Sequence, residues 1–109
     1  MAENYQPFIE YNFSKWNSPD GYSCVELPNN SGVYVIAVPE FIDGKLKYKI
    51  LYVGSTKNIF KRYCNHEKRM MIKRDEGYSK FYFIECPDFR KQEKILIKEL
   101  QPKYNKYGK

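Results

Sequence analysis

With 109 residues and a mass of 13.1 kDa, the chain has room for one compact domain with a modest core and no second one. Hydrophobic residues at 42%, with eleven Tyr and seven Phe, exclude a disordered tail, and no run approaches the roughly 20 apolar residues of a membrane helix. The net charge of +6 is uneven: residues 1–44 hold one Lys against six acids, and residues 45–109 hold eighteen Lys or Arg against seven acids, so a polyanion would meet the second part.

A basic surface is equally an ordinary device for solubility, so charge alone does not decide for nucleic acid. Cys24, Cys64 and Cys86 form an odd set without a Cys-x-x-Cys pair, and no apolar signal segment opens the chain, so reduced thiols and a cytoplasmic location are expected. With one His, a zinc site is disfavoured.

In chain order, residues 1–30 read as an irregular arm in which Tyr5, Phe8, Tyr11, Phe13, Trp16 and Tyr22 alternate with polar residues and with turn signals at Ser18-Pro19-Asp20-Gly21 and Pro28-Asn29-Asn30. Such an arm packs its rings on the remaining domain, residues 31–109; a substrate-contacting or dimer-forming arm is the alternative. Val33–Val38 and Leu46–Val53 are runs of strand formers, with breaks expected at Pro39 and Asp43-Gly44, and read as a hairpin. Val33–Val38 and Ile50–Val53 are nearly continuously apolar, which predicts a sheet covered on both faces.

Gly54-Ser55-Thr56-Lys57-Asn58 is turn chemistry ending in an N-cap, and Ile59, Phe60, Tyr63, Met70 and Met71 recur at helical spacing, predicting one helix to about Lys73. Gly77 breaks it, Ser79–Cys86 reads as a third strand, and Pro87-Asp88 starts a second helix ended by Gln101-Pro102. The fold class expected is α/β (α+β): a small three-stranded antiparallel sheet flanked by helices.

Within one continuous first helix, Asn58, Arg62 and His66 would stand four apart on one ridge. Either Asn58 merely caps, Arg62 is solvated and His66 marks a boundary, or Arg62 and His66 point together into a site. Glu93 falls between Phe89 and Leu96 on the apolar face of the second helix, where an unpaired carboxylate is costly. A salt bridge to Arg62 or a lysine would answer this, and so would a divalent metal. Tyr34 and Tyr52 are mid-strand residues whose hydroxyls need partners if buried. A phenol, with a reference pKa near 10, serves as a general base only where cations such as Lys57, Arg62 or a metal on Glu93 favour its phenolate. Gly77–Phe83 loosely matches the aromatic strand of RNA-recognition motifs, but that fold places another strand after its second helix and this chain does not.

Taken together, Gly32-Val33-Tyr34, Tyr52-Val53-Gly54, Ser55-Thr56-Lys57-Asn58, Arg62, His66, Glu93 and Pro102-Lys103-Tyr104-Asn105 resemble the GIY-YIG nuclease domain, in order and in most spacings. Val33 and Val53 replace isoleucine, and the gap from Tyr34 to Tyr52 is longer than usual in that family, adding a hairpin extension around Pro39 to Lys49.

The resemblance implies a metal-dependent endonuclease that hydrolyses DNA phosphodiester bonds by a single-metal mechanism, with Mg²⁺ or Mn²⁺ on Glu93. It further implies Tyr34 deprotonating or orienting water, Arg62 stabilising charge at phosphorus, and Tyr52 with His66 positioning water or phosphate, with Tyr34 and His66 both open as the base. Gly54, Lys57, Asn58 and Asn105 would support the site, and Lys45, Lys47 and Lys49 of the extension, with Lys57 and Arg62, would contact the DNA backbone. The expected partner is duplex or branched DNA, with no membrane. Monomer, homodimer and a partner protein supplying specificity all stay open. A catalytically inactive nucleic-acid-binding module on the same fold is the alternative, and a protein-interaction domain a third.

One geometric demand follows. Tyr34 and Tyr52 share a face of an antiparallel hairpin only if paired residue numbers sum to an even number, and a two-residue Asp43-Gly44 turn gives an odd sum. A three- or five-residue loop, or a bulge near Pro39, is therefore expected.

Overall fold

A computed structural model describes residues 8–19 and 27–107. Two long strands, β1 (Gly32–Ile42) and β2 (Lys45–Thr56), are followed by helices α1 (Ile59–Cys64) and α2 (Glu67–Glu76), strand β3 (Lys80–Glu85), helix α3 (Phe89–Leu100) and a closing 3₁₀ turn (Tyr104–Tyr107). The sheet is antiparallel, in the order β2-β1-β3.

The hairpin meets the parity demand by a bulge. Its turn is a strict two-residue Asp43-Gly44, both at positive φ (54° and 79°), the geometry that matches strand twist and that Gly adopts without strain. From Ile42↔Lys45 to Ala37↔Ile50 the pairs sum to an odd number, and from Ile36↔Tyr52 to Gly32↔Thr56 to an even one. Leu51 is the extra residue, two positions before the expected site at Pro39 on the opposing strand. Consequently Leu51 and Tyr52, adjacent in sequence, both pack on the face that carries Tyr34, while Ile50 and Val53 pack on the other.

Pro39 does not break β1, contrary to expectation. It pairs with Tyr48, whose N–H and C=O face outward to Ile9, so the missing Pro39 donor points away from β2. On that side β3 has already ended, its last pair being Ala37↔Lys80.

Both faces of the sheet are covered, as the apolar runs predict. One face buries Val33, Val35, Ala37, Ile50, Val53 and Tyr82 under Leu96 and Leu100 of α3 and Phe13 of the arm. Residues 8–19 straddle this face, pairing at Ile9 with Tyr48 of one edge strand and at Asn17 with Phe83 of the other. Between those anchors the Phe13 ring stacks on Tyr82 at 4.2 Å and meets Tyr48 edge-on at 4.8 Å. The other face buries Tyr34, Ile36, Leu51, Phe81 and Phe83 under Ile59 and Ile72. Tyr5, Tyr22, Cys24 and the Asp20-Gly21 turn lie outside the described residues.

The single helix expected from Asn58 to Lys73 is instead two. Asn58 caps α1 by accepting from Lys61 N, and the chain leaves helical geometry at Asn65 and His66. His66, extended at φ −109° and ψ 95°, caps α2 by accepting the Arg69 N–H at Nδ1. The four-residue ridge therefore does not exist as such: what brings Arg62 and His66 together is the corner between two short helices. Gly77 ends α2 at φ 80°, as its position predicts.

Candidate active site

Tyr34 is the hub, 1% exposed, on the central strand. Its partner across β2 is Gly54, and a Cβ there would fall 2.4 Å from both the Tyr34 hydroxyl and ring carbon Cζ. The absence of a side chain at Gly54 thus lets the ring lie across β2 with its hydroxyl towards that strand's free edge. Gly32 is required for a comparable reason: a Cβ there would meet the Ile84 carbonyl oxygen at 2.4 Å and the Ile59 side chain at 2.7 Å. The two glycines of the sequence triplets are therefore close-approach positions.

Two donors converge on the Tyr34 oxygen. Arg62 Nε–H donates to it from 3.2 Å, and His66 Nε2 lies 2.7 Å away. The His66 tautomer follows from its other nitrogen. Nδ1 accepts the Arg69 backbone N–H at 2.9 Å, so the ring proton of neutral His66 sits on Nε2 and is donated to Tyr34. Burial, and next the Arg62 and Arg69 charges, push the His66 pKa down to about 3, so the ring is neutral at pH 7. Tyr34 is shifted upward, because burial outweighs the opposing hydrogen bond from Arg62. Tyr52 is also raised by burial; its ring centroid lies 6.2 Å from Tyr34 and 5.7 Å from His66.

Glu93 arrives from α3, beneath the opposite face, and meets the end of β2. Its Oε1 accepts the Ser55 hydroxyl at 2.5 Å, and among the described residues it makes no ion pair. The salt bridge to Arg62 or lysine that could have explained this carboxylate is thus not formed. Ser55 directly follows Gly54, against which the Tyr34 hydroxyl packs, so Glu93 meets β2 one residue beyond the Tyr34 contact. No cluster of three or more His, Cys, Asp or Glu forms a metal cage among the described residues. One half-buried carboxylate with a hydroxyl beside it suits Mg²⁺, which binds through one or two carboxylates and fills its shell with water and substrate phosphate.

The C-terminal tail braces the free edge of β2. Asn105 Nδ2 donates to the Val53 carbonyl at 2.9 Å and its Oδ1 accepts the Val53 N–H at 2.8 Å, so a side-chain amide pairs with the backbone as a further strand would. The tail is itself held by Glu76, at the end of α2, which accepts from Lys103 Nζ at 2.7 Å, Tyr104 hydroxyl at 2.8 Å and Lys49 Nζ at 3.3 Å. Burial alone would raise the Glu76 carboxyl; these three hydrogen bonds outweigh it and hold the pKa below the usual value.

Most residues singled out from the sequence converge here: Tyr34, Tyr52, Arg62, His66, Glu93, Gly54 and Asn105. Lys57 is exposed beside Asn58, which caps α1. The hairpin lysines are less available than their spacing suggested. Lys49 pairs with Glu76, and Lys45 lies 3.6 Å from Glu10. Lys47, half-buried, makes no ion pair among the described residues. Sequence reasoning missed Glu76, whose partners lie 27 and 28 residues away, and Lys68, whose ammonium sits 5.6 Å over the Tyr52 ring. It also missed Ser55 as the partner of Glu93, although Ser55 directly follows the second triplet.

The family model for the GIY-YIG catalytic domain matches residues 30–107. No curated protein and no solved structure matches the chain. With most of its length covered by that model, and the glycine and tyrosine positions of both triplets explained by one site, the chain belongs to the GIY-YIG family of nuclease domains.

Proposed function

We propose that this protein is a divalent-metal-dependent DNA endonuclease, acting on duplex or branched DNA. The observation that carries the reading is the Tyr34 hydroxyl, held by Arg62 and His66 and facing a region shared with a carboxylate that has no ion pair among the described residues. Hydrolysis requires a water oxygen to attack phosphorus, the bond to the leaving oxygen to break, and that oxygen to regain a proton. Glu93 would hold Mg²⁺ or Mn²⁺, which when bound neutralises the phosphate and the leaving oxygen.

The protein's own groups divide the remaining work. Arg62, aimed by its hydrogen bond to Tyr34, meets the charge that builds on the phosphoryl oxygens. Of the two candidate bases, the hydrogen bonding favours Tyr34. His66 presents N–H at Nε2, and its Nδ1 lone pair is occupied by the Arg69 amide, so neither ring nitrogen is open to accept a proton from water. Tyr34 accepts two N–H donors, an arrangement that favours phenolate once nearby positive charge offsets its burial. Tyr52 helps position water or phosphate. Asn105 keeps Val53, between Tyr52 and Gly54, in register. Lys57, Lys47 and Lys68 add positive potential for the backbone, the last from its place above Tyr52.

The test is incubation of supercoiled, linear and branched DNA with Mg²⁺, with Mn²⁺ and with EDTA. Cleavage of at least one form with metal and none with EDTA is expected. Binding without cleavage under every condition would instead assign an inactive binding module on this fold.

A further inference from the structure

We infer a second anion site beside the active centre: a cavity of about 230 Å³ that takes a phosphate of the substrate strand next to the scissile one, with its nucleoside against Tyr78. This rests on the nuclease reading for its substrate. The cavity is lined by Arg69 and Lys73 of α2, by Tyr63 and Tyr78, and by the start of β3. Among the described residues no carboxylate lines it. Lys80 lines it too, but its ammonium lies 5.5 Å over the ring of Tyr82, which packs on the other face, so the cavity's cations are Arg69 and Lys73.

Three features make these cations costly without an anion. Arg69 and Lys73 stand one turn apart on α2, an i, i+4 like-charge pair that destabilises a helix. Arg69 lies in the first turn of α2, where the helix dipole disfavours positive charge. Its guanidinium is also fixed but not satisfied: it stacks on Tyr63 at 4.1 Å and donates from one nitrogen to the Tyr63 carbonyl at 3.3 Å, while Nε is buried with no hydrogen-bond partner among the described residues. The negative charge of a phosphate offsets the first two, and its several acceptor oxygens suit a guanidinium already held in place by Tyr63. At the rim, Tyr78 is 66% exposed, a platform of the kind on which bases stack. The volume falls below the roughly 300 Å³ at which pockets for drug-sized ligands begin, as suits one nucleotide of a strand.

The link to the active centre is direct. The Arg69 backbone N–H donates to His66 Nδ1, and His66 Nε2 donates to Tyr34, so the residue whose side chain lines the cavity is joined through one imidazole to the hub. A strand with one phosphate at Tyr34 and Arg62 would carry its neighbour towards Arg69.

The experiment is binding of a short fluorescent DNA duplex, in EDTA, by anisotropy across a salt series. It compares wild type with Lys73→Gln, Arg69→Gln/Lys73→Gln and Tyr78→Ala, each checked for folding by circular dichroism. Lys73 and Tyr78 are exposed, so their variants keep the fold whatever becomes of the Arg69 change. The double variant should weaken binding roughly tenfold at low salt and flatten the log–log salt dependence by about 0.9, the effect of one phosphate. Tyr78→Ala should weaken binding with the slope unchanged. Wild-type affinity and slope in all three variants, or no salt-sensitive binding by wild type, would overturn the site. Cleavage with metal together with unchanged binding in the variants removes this site alone. Weakened binding in the variants of a protein that never cleaves removes the nuclease reading alone.

Discussion

Tyr34 and Gly54 are paired across the β1–β2 ladder so closely that the tyrosine hydroxyl occupies the space a side chain at Gly54 would need, 2.4 Å from its Cβ position. This relationship ties the two sequence triplets together: the glycine of the second exists to admit the tyrosine of the first. Gly54→Ala forces either the strand or the ring to move. Overpacking of this kind should cost about 1–3 kcal/mol of stability. The displaced hydroxyl should lower the cleavage rate about 100-fold. Thermal melting and single-turnover cleavage check the two effects, and an alanine variant with wild-type cleavage would mean that Tyr34 need not sit where it does.

His66 is the protein's single histidine, so its imidazole signals in nitrogen-15 NMR are unambiguous. With its pKa pushed down to about 3, it should stay neutral, protonated on Nε2, from pH 8 to pH 5. In the unfolded chain it titrates near 6.5. Between about pH 6.5 and 3 the unfolded state therefore binds the extra proton. The associated stability is whole above pH 6.5 and falls with decreasing pH by up to about 1.4 kcal/mol per unit. Replacing His66 by Gln should flatten that limb. A midpoint near 6.5 in the folded protein would contradict the tautomer and its role as donor to Tyr34.

Glu76 should matter more than its distance from the chemistry suggests. Its side chain is 10% exposed and holds Lys49, Lys103 and Tyr104 at once. Glu76→Gln leaves two lysines without their carboxylate and should destabilise the fold by about 1–3 kcal/mol. Because the folded carboxyl is held low, its contribution is present above the unfolded pKa near 4.3 and is lost as pH falls through the folded value. Hydrogen exchange offers a local readout. The Val53 amide, which donates to Asn105, should exchange faster in Glu76→Gln and faster still in Asn105→Ala, while Val35 on the central strand keeps its protection.

The arm is predicted to be part of the folding unit. Phe13→Ala removes a ring 6% exposed that stacks on Tyr82, and should cost about 3–5 kcal/mol. Deleting residues 1–19 would also open both sheet edges, at Tyr48 and Phe83, and should lower the melting temperature and promote association. A truncated protein as stable as the full chain, and no more associated than it, would reduce the arm to an appendage.

Much of this was legible in the sequence, because the signals were local or periodic. Apolar runs with turn signals between them mark the three strands, and a carboxylate on an apolar helical face marks Glu93. The parity of the hairpin showed that some irregularity had to exist, although not that it would be Leu51. What escaped was set by pairing at long range. Pro39 looks like a strand break until the ending of β3 at Ala37↔Lys80 frees that side of β1. The kink at His66 is invisible to helical spacing, since Ile59, Tyr63, Met70 and Met71 keep a plausible period across it. Nothing near Lys49 in the sequence announces its ion pair with Glu76, 27 residues on.

The central claim is that Tyr34 and Glu93 serve one reaction from opposite faces of the sheet. The most direct measurement is the single-turnover rate of DNA cleavage in Mg²⁺ for wild type, Tyr34→Phe and Glu93→Gln, with DNA binding measured in parallel. Each variant should lose about 100-fold or more in rate while still binding DNA. Cleavage by either variant at close to the wild-type rate would contradict the account.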